Sequence, residues 1–190
     1  MEKEFWDQRW AEGNTGWDMG QVSPPLKAYI DQLKDKSLRI LIPGCGNAYE
    51  AEYLWEKGFY NTFIVEISQG AINSFTNRYP DFPKDHIFHT DFFELNETFD
   101  LVLEQTFFCA IHPSKREDYA NKMWEIIKPG GKLVGLLFDF PLDSGPPFGG
   151  SEQEYRRYFE SKFSVEIMET AHNSIQPRAG REFFILMQRS

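Results

Sequence analysis

The sequence has no uninterrupted apolar run near the roughly 18 residues that a membrane helix needs, and its start, Met1-Glu-Lys-Glu, lacks the apolar centre of a secretion signal. A cytoplasmic protein with no membrane partner is expected. Cysteine is nearly missing. Cys45 and Cys109 are the only two, too few for a disulfide scaffold, and both are expected as free thiols. Basic residues are in deficit: 20 Lys and Arg stand against 29 Asp and Glu, a net charge of −9 at pH 7. That is the wrong sign for binding phosphate backbones and excludes nucleic acid as a partner. No repeat, low-complexity tract or long like-charge run divides the 190 residues, so one domain is expected over 1–190.

Aromatic residues, by contrast, are abundant. They make up 16% of the chain, and Trp6, Trp10 and Trp17 all fall within the first 17 residues. Trp6 and Trp10 are four apart and share a helical face. That face either packs on the rest of the protein or forms a lid, and residues 1–37 are assigned to such an N-terminal helical segment.

From Leu38 onward, short apolar runs alternate with amphipathic stretches. Strands are predicted over Leu38–Pro43, Phe63–Ile67, His86–His89, Phe99–Glu104, Lys132–Phe138, Phe163–Met168 and Glu182–Met187. Between them the pattern predicts a helix over Ala48–Lys57 and one capped by Ser68 that stops at Pro80. A third helix opens at a Ser114–Glu117 capping box and ends at Lys128-Pro129-Gly130-Gly131, and a fourth opens at Ser151–Glu154 and runs to about Ser161. Residues Asp139–Gly150, rich in proline and glycine, are a loop. The alternation predicts an α/β fold: a doubly wound, mostly parallel seven-stranded sheet over 38–190 with helices on both faces. Such sheets bind ligands at the carboxyl ends of their strands.

The first strand runs into Pro43-Gly44-Cys45-Gly46-Asn47-Ala48, where glycines allow a tight turn and close approach to a ligand. A dinucleotide fingerprint needs a small residue three positions after Gly46, and Tyr49 stands there, which counts against a nicotinamide-dependent oxidoreductase. Glu66 ends the second strand, where a carboxylate can accept from both hydroxyls of an adenosine ribose. Asp91 follows the third strand, and Glu104 with Gln105 ends the fourth. His86, His89 and Asp91 have the chemistry of metal ligands, but strand positions three apart face opposite sides, so no metal is expected. Cys109 and His112 show no activating constellation, and Cys45 reads as a small residue that fits its turn.

These runs resemble the class I S-adenosylmethionine-dependent methyltransferases, and within them the thiopurine S-methyltransferase superfamily, on its halide- and thiol-methylating side. The resemblance is carried by Trp6-Asp-Gln-Arg-Trp10, Gly16-Trp17-Asp18-Met-Gly20, Ile42-Pro43-Gly44-Cys45-Gly46 and Val65-Glu66-Ile67-Ser68. Further on it continues through Thr106-Phe107-Phe108-Cys109-Ala110-Ile111, Lys128-Pro129-Gly130-Gly131, Gly145-Pro146-Pro147 and Pro177-Arg178-Ala179-Gly180-Arg181-Glu182.

The resemblance implies a Rossmann-like core and S-adenosyl-L-methionine as cofactor, released as S-adenosyl-L-homocysteine. It implies cofactor contacts from Trp6, Trp10 and Trp17, from Gly44, Cys45 and Gly46, and from Glu66 and Ile67. Asp91 and Phe92 would lie beside the adenine, with Glu104 and Gln105 completing the set. Phe107, Phe108, Phe148, Arg178 and Arg181 would form the acceptor pocket. The expected reaction is in-line methyl transfer to a small soft nucleophile, a thiol, sulfide, halide or thiopurine-like thiol, by a monomer or weak dimer. An O- or N-methyltransferase and a non-catalytic S-adenosylmethionine-binding protein are the alternatives. No catalytic base is assigned, because Glu104, Asp139 and His112 have no visible partner in the sequence.

Overall fold

In the computed structural model, residues 3–190 are described, and residues 1 and 2 of the expected N-terminal segment lie outside them. Seven strands form one sheet: β1 (Ile40–Pro43), β2 (Thr62–Glu66), β3 (Ile87–His89), β4 (Phe99–Gln105), β5 (Ile127–Phe138), β6 (Phe163–Thr170) and β7 (Glu182–Arg189). Their spatial order is β3-β2-β1-β4-β5-β7-β6. The first five are parallel, and β7 pairs antiparallel with both β5 and β6. The order reverses between β1 and β4, which opens a crevice at their carboxyl ends.

Six helices flank the sheet: α1 (Lys3–Ala11), α2 (Pro24–Gln32), α3 (Tyr49–Glu56), α4 (Gln69–Arg78), α5 (Arg116–Ile126) and α6 (Glu152–Phe159). Alternation along the strands divides the apolar side chains between two faces. Leu41, Val65, Val102 and Leu133 pack with Tyr119 and Met123 of α5 and with Tyr155 and Phe159 of α6. Ile40, Ile42, Leu101 and Val134 pack on the other face with Leu26 and Ile30 of α2, Leu54 of α3 and Phe75 of α4. Among the described residues no helix is long and apolar enough to cross a membrane.

Two of the expected caps form. The Ser68 hydroxyl accepts from the Ala71 N–H to open α4, and the Ser151 hydroxyl accepts from the Glu154 N–H to open α6. The Glu154 carboxylate does not reach back, because the buried Arg116 takes it at 2.7 Å. The expected Ser114–Glu117 box is corrected. Pro113 instead begins a 3-10 turn over Pro113–Lys115 whose cap is the His112 ring, and α5 starts only at Arg116. The run Lys128–Gly131 likewise does not end a helix. α5 stops at Ile126, and this run lies inside β5, where a Cβ on Gly131 would come within 2.9 Å of the Asp100 carbonyl on β4.

Candidate active site

A cavity of about 740 Å³ opens where the parallel strands end. Gly44 and Gly46, both at positive φ, form its floor in the turn after β1. A Cβ on Gly44 would lie 2.0 Å from the Phe107 ring, so only glycine lets that ring settle on the turn. Glu66 is 7% exposed and ends β2 against this floor. Its Oε2 accepts from Gly46 N–H at 3.0 Å, while Oε1 accepts from the N–H groups of Ile67 at 2.9 Å and Ser68 at 3.0 Å. Burial pushes this carboxyl above its ordinary pKa, and the three amides oppose the shift. Asp91 caps the turn Phe92–Glu94 by accepting from Phe93 N–H at 2.9 Å. Ile67, Asp91 and Phe92 all line the cavity.

The tryptophans form the cover. Trp6 and Trp10 meet Trp17 edge-on, with centroids 5.6 and 6.1 Å apart, and all three line the cavity. α1 is tied to α4 by the Ser68 hydroxyl, which donates to Asp7 at 2.8 Å, and by Trp10, which lies on Gly70. The segment that follows is held by Asp18, which accepts from Asn47 and from the Tyr49 hydroxyl.

The far end is walled by Phe138, the last residue of β5, by Phe140 just after it, and by Pro146 and Pro147 of the loop that follows. Arg178 and Arg181 border it, their guanidiniums 5.5 Å from the Phe138 ring and 5.0 Å from the Phe140 ring. Cys109 and Ile111 complete this wall.

Trp6, Trp10, Trp17, Gly44, Gly46, Glu66, Ile67, Asp91, Phe92, Phe107, Arg178 and Arg181 are therefore brought to one cavity. Five expected site residues lie elsewhere. Cys45 and Gln105 line a small adjoining pocket of about 40 Å³, which shares Trp17, Gly44, Gly46 and Thr106 with the main cavity. Glu104 is fully buried beneath the wall, because its Oε1 accepts from the N–H groups of Phe107 at 2.8 Å and Phe108 at 3.1 Å. Phe108 is a core residue, packed against Tyr119, Tyr155 and the Arg116 guanidinium. Phe148 follows the two prolines in the chain and is not part of the cavity lining, its ring edge-on to His112.

Phe138, Phe140, Lys3, Arg9 and Lys115 line the cavity without having been expected there. For the two phenylalanines a signal existed in their place at the end of the fifth strand. Burial raises the pKa of both thiols, and Cys109 donates to the Thr106 carbonyl at 3.3 Å, so neither cysteine is held as a thiolate.

The sequence model of thiopurine S-methyltransferase matches residues 1–184. The chain belongs to the thiopurine S-methyltransferase family. As a member of that family it is a methyltransferase whose methyl donor is S-adenosylmethionine. It is 32% identical to a probable thiol methyltransferase 2 of Arabidopsis thaliana, over 93% of this chain and 81% of the relative. It is 31% identical to a thiocyanate methyltransferase 1 of Brassica oleracea, over 96% and 83%. The fold matches that of a magnesium protoporphyrin IX methyltransferase from Synechocystis with bound S-adenosylmethionine, at a TM-score of 0.74, 12% identity and coverage of 99% and 97%.

The cavity of this methyltransferase suits that cofactor in volume and donor set. It lies within the range of about 300 to 1,000 Å³ common to small-molecule sites. It also places a buried carboxylate, a bare glycine turn and an aromatic cover on one space.

Proposed function

We propose that this enzyme methylates a small soft nucleophile, a thiol, sulfide, thiocyanate or halide, at the Phe138–Arg178 end of the cavity. The observation that carries this reading is the chemistry of that end. Its described lining is aromatic rings, prolines, Ile111, the Cys109 thiol and two arginines, with no carboxylate or imidazole to serve as a base. Alcohols and protonated amines lose a proton on attack, and a positioned base contributes about 10² to 10⁴-fold to such reactions. A thiolate, thiocyanate or halide has no proton to lose.

S-adenosylmethionine supplies, when bound, an electrophilic methyl group on a sulfonium. Glu66 is assigned to the ribose hydroxyls, Asp91, Phe92 and Ile67 to the adenine, and Gly44 and Gly46 to close backbone approach. The three tryptophans cover the cationic centre, where an aromatic face contributes roughly 0.5 to 2 kcal/mol of cation-π attraction. Phe107, Phe138 and Phe140 exclude water from the nucleophile, which is then held in line with the reacting carbon. Residues 1–37 act as the lid and 38–190 as the transferase core of a single domain. The free Cys45 and Cys109 suit a reducing, cytoplasmic setting. The exposed large apolar side chains Tyr60, Trp124 and Leu142 lie on separate elements, which supports a monomer or weak dimer.

An acceptor panel with labelled S-adenosylmethionine tests the reading. Methanethiol, sulfide, thiocyanate and iodide are expected to be methylated far faster than a catechol or an amine. Preferential methylation of the catechol or the amine overturns it.

A further inference from the structure

The loop that carries Pro146 and Pro147 is closed at its neck. Gly150 N–H donates to the Phe140 carbonyl at 2.9 Å, and Phe148 N–H donates to the Cys109 carbonyl at 2.7 Å. A Cβ on Gly149 would lie 2.2 Å from the Phe140 carbonyl oxygen, and one on Gly150 2.4 Å from the Tyr155 hydroxyl, so only glycines let the returning chain lie this close. Arg116, wholly buried at the first residue of α5, grips that return. Its Nη2 donates to the Gly149 carbonyl at 2.7 Å and to the Phe148 carbonyl at 3.4 Å, while its Nη1 donates to Glu154 Oε1 of α6 at 2.7 Å. The guanidinium also stands 4.7 Å from the centre of the Phe108 ring, in the turn Phe108–Ala110 that brings Cys109 to the cavity. One side chain thus joins two helices, the proline loop and that turn.

Stability alone is a poor reason for this arginine. A cation at the first position of a helix opposes the helix dipole, and among the described residues the buried Nε of Arg116 has no partner. Well-packed apolar side chains often stabilise a fold as well as a buried ion pair does. What the guanidinium adds is direction, since its planar fork fixes the angle between the Glu154 carboxylate and the two carbonyls. Building on the acceptor reading above, we propose that Arg116 is a positioning residue that sets the width of the acceptor end. Clamped to Glu154, it holds the Phe148 and Gly149 carbonyls and thereby fixes Pro146 and Pro147 in the wall they share with Phe138 and Phe140. A fixed wall keeps a small nucleophile in line with the reacting carbon. A released wall leaves it loose and admits bulkier acceptors. The clamp touches none of Gly44, Gly46, Glu66 or Asp91, so the cofactor end is independent of it.

The test compares the wild-type chain with Arg116→Lys and with a double variant, Arg116→Met with Glu154→Gln, which removes both charges and nearly keeps the volume. In the double variant the KM for thiocyanate is expected to rise by about tenfold or more, with kcat changing less, and the kcat/KM ratio to shift toward thiophenol over thiocyanate by a similar factor. Calorimetric affinity for S-adenosylhomocysteine is expected to stay within about twofold, as for a separate site. Hydrogen exchange at the Phe148 and Gly150 amides is expected to quicken by about tenfold or more while the β5 amides keep their protection. Arg116→Lys keeps the charge and loses the fork, so it is expected to fall between the two. A folded double variant with wild-type KM, selectivity and exchange overturns the proposal. So does a loss of S-adenosylhomocysteine affinity in step with the rise in KM, which marks a general structural role. Where the double variant fails to fold by circular dichroism, Arg116→Lys decides by the same readings. A wild-type chain that binds S-adenosylhomocysteine but methylates neither acceptor refutes the soft-nucleophile reading instead, and exchange at Phe148 and Gly150 then decides whether Arg116 holds the wall.

Discussion

Two buried glutamates at the carboxyl ends of β2 and β4, on either side of β1, do different work. Glu66 faces the cavity with three backbone amides on its carboxylate. Removing it takes away the charged acceptors assigned to the ribose under the proposed function, and a hydrogen bond to a charged group is worth roughly 1.5 to 3 kcal/mol. Glu66→Ala is therefore expected to weaken S-adenosylhomocysteine binding by about that amount in calorimetry while circular dichroism stays unchanged. Unaltered affinity in a folded variant removes the assignment.

Glu104 has no such access, and burial pushes its carboxyl up from 4.5 to about 7. An acid with a higher pKa folded than unfolded keeps its proton more tightly in the folded state. Its stabilising share is then full below about pH 4.5 and is lost as pH rises toward about 7. The slope it contributes approaches roughly 1.4 kcal/mol per pH unit between those values. Glu104→Gln is expected to remove that slope from urea unfolding measured at several pH values, and a variant with the wild-type slope excludes Glu104 as its source. Thr106, two residues on, adopts a φ of +57°, a conformation that β-branched residues rarely hold. The clamp of Glu104 on the Phe107 and Phe108 amides fixes the turn just after it.

At the level of elements, the decisive contact is between α1 and α4. A Cβ at Gly70 would approach the Cβ of Trp10 to 2.8 Å. That atom is next to the α1 backbone, so the helix itself must move. Helix propensity favours alanine over glycine by up to about 1 kcal/mol, which opposes the clash. Gly70→Ala is expected to keep or raise the melting temperature while weakening S-adenosylhomocysteine binding and speeding proteolysis of residues 3–20. The same protease assay applies to the wild-type chain. S-adenosylhomocysteine is expected to slow cleavage in that segment, and equal cleavage with and without ligand marks α1 as a permanently docked helix.

For the whole molecule, a chain of net charge −9 carries a cavity bordered, among the described residues, by Lys3, Arg9, Lys115, Arg178 and Arg181 against Glu66 and Asp91. Anions are drawn to such a cleft despite the overall charge, because a low-dielectric cleft focuses its own local field. The acceptor reading then has a pH signature. Methylation of a thiol is expected to rise with pH toward the thiol's own pKa, whereas methylation of iodide stays nearly flat over the same window. A parallel rise for iodide points to a titrating group on the enzyme. In thermal unfolding, S-adenosylhomocysteine at a hundredfold above its dissociation constant is expected to stabilise the chain by about 2.7 kcal/mol, and a larger shift from NAD contradicts the cofactor.

Local pattern was enough to determine the seven strands, the α4 and α6 caps, the glycine turn and the acid at the end of β2. Each rests on residues within a few positions of one another, through period, capping chemistry and φ preference. Tertiary structure alone decided where long-range partners take a side chain. Arg116 takes Glu154 away from its capping box, backbone amides hold Glu104 out of the cavity lining, and Tyr119 and Tyr155 take Phe108 into the core. It also decided that Phe138, Phe140 and Arg178 share one cavity with the tryptophans, since residues up to 161 positions apart are neighbours only once the sheet sets β5 beside β4 and β7 beside β5.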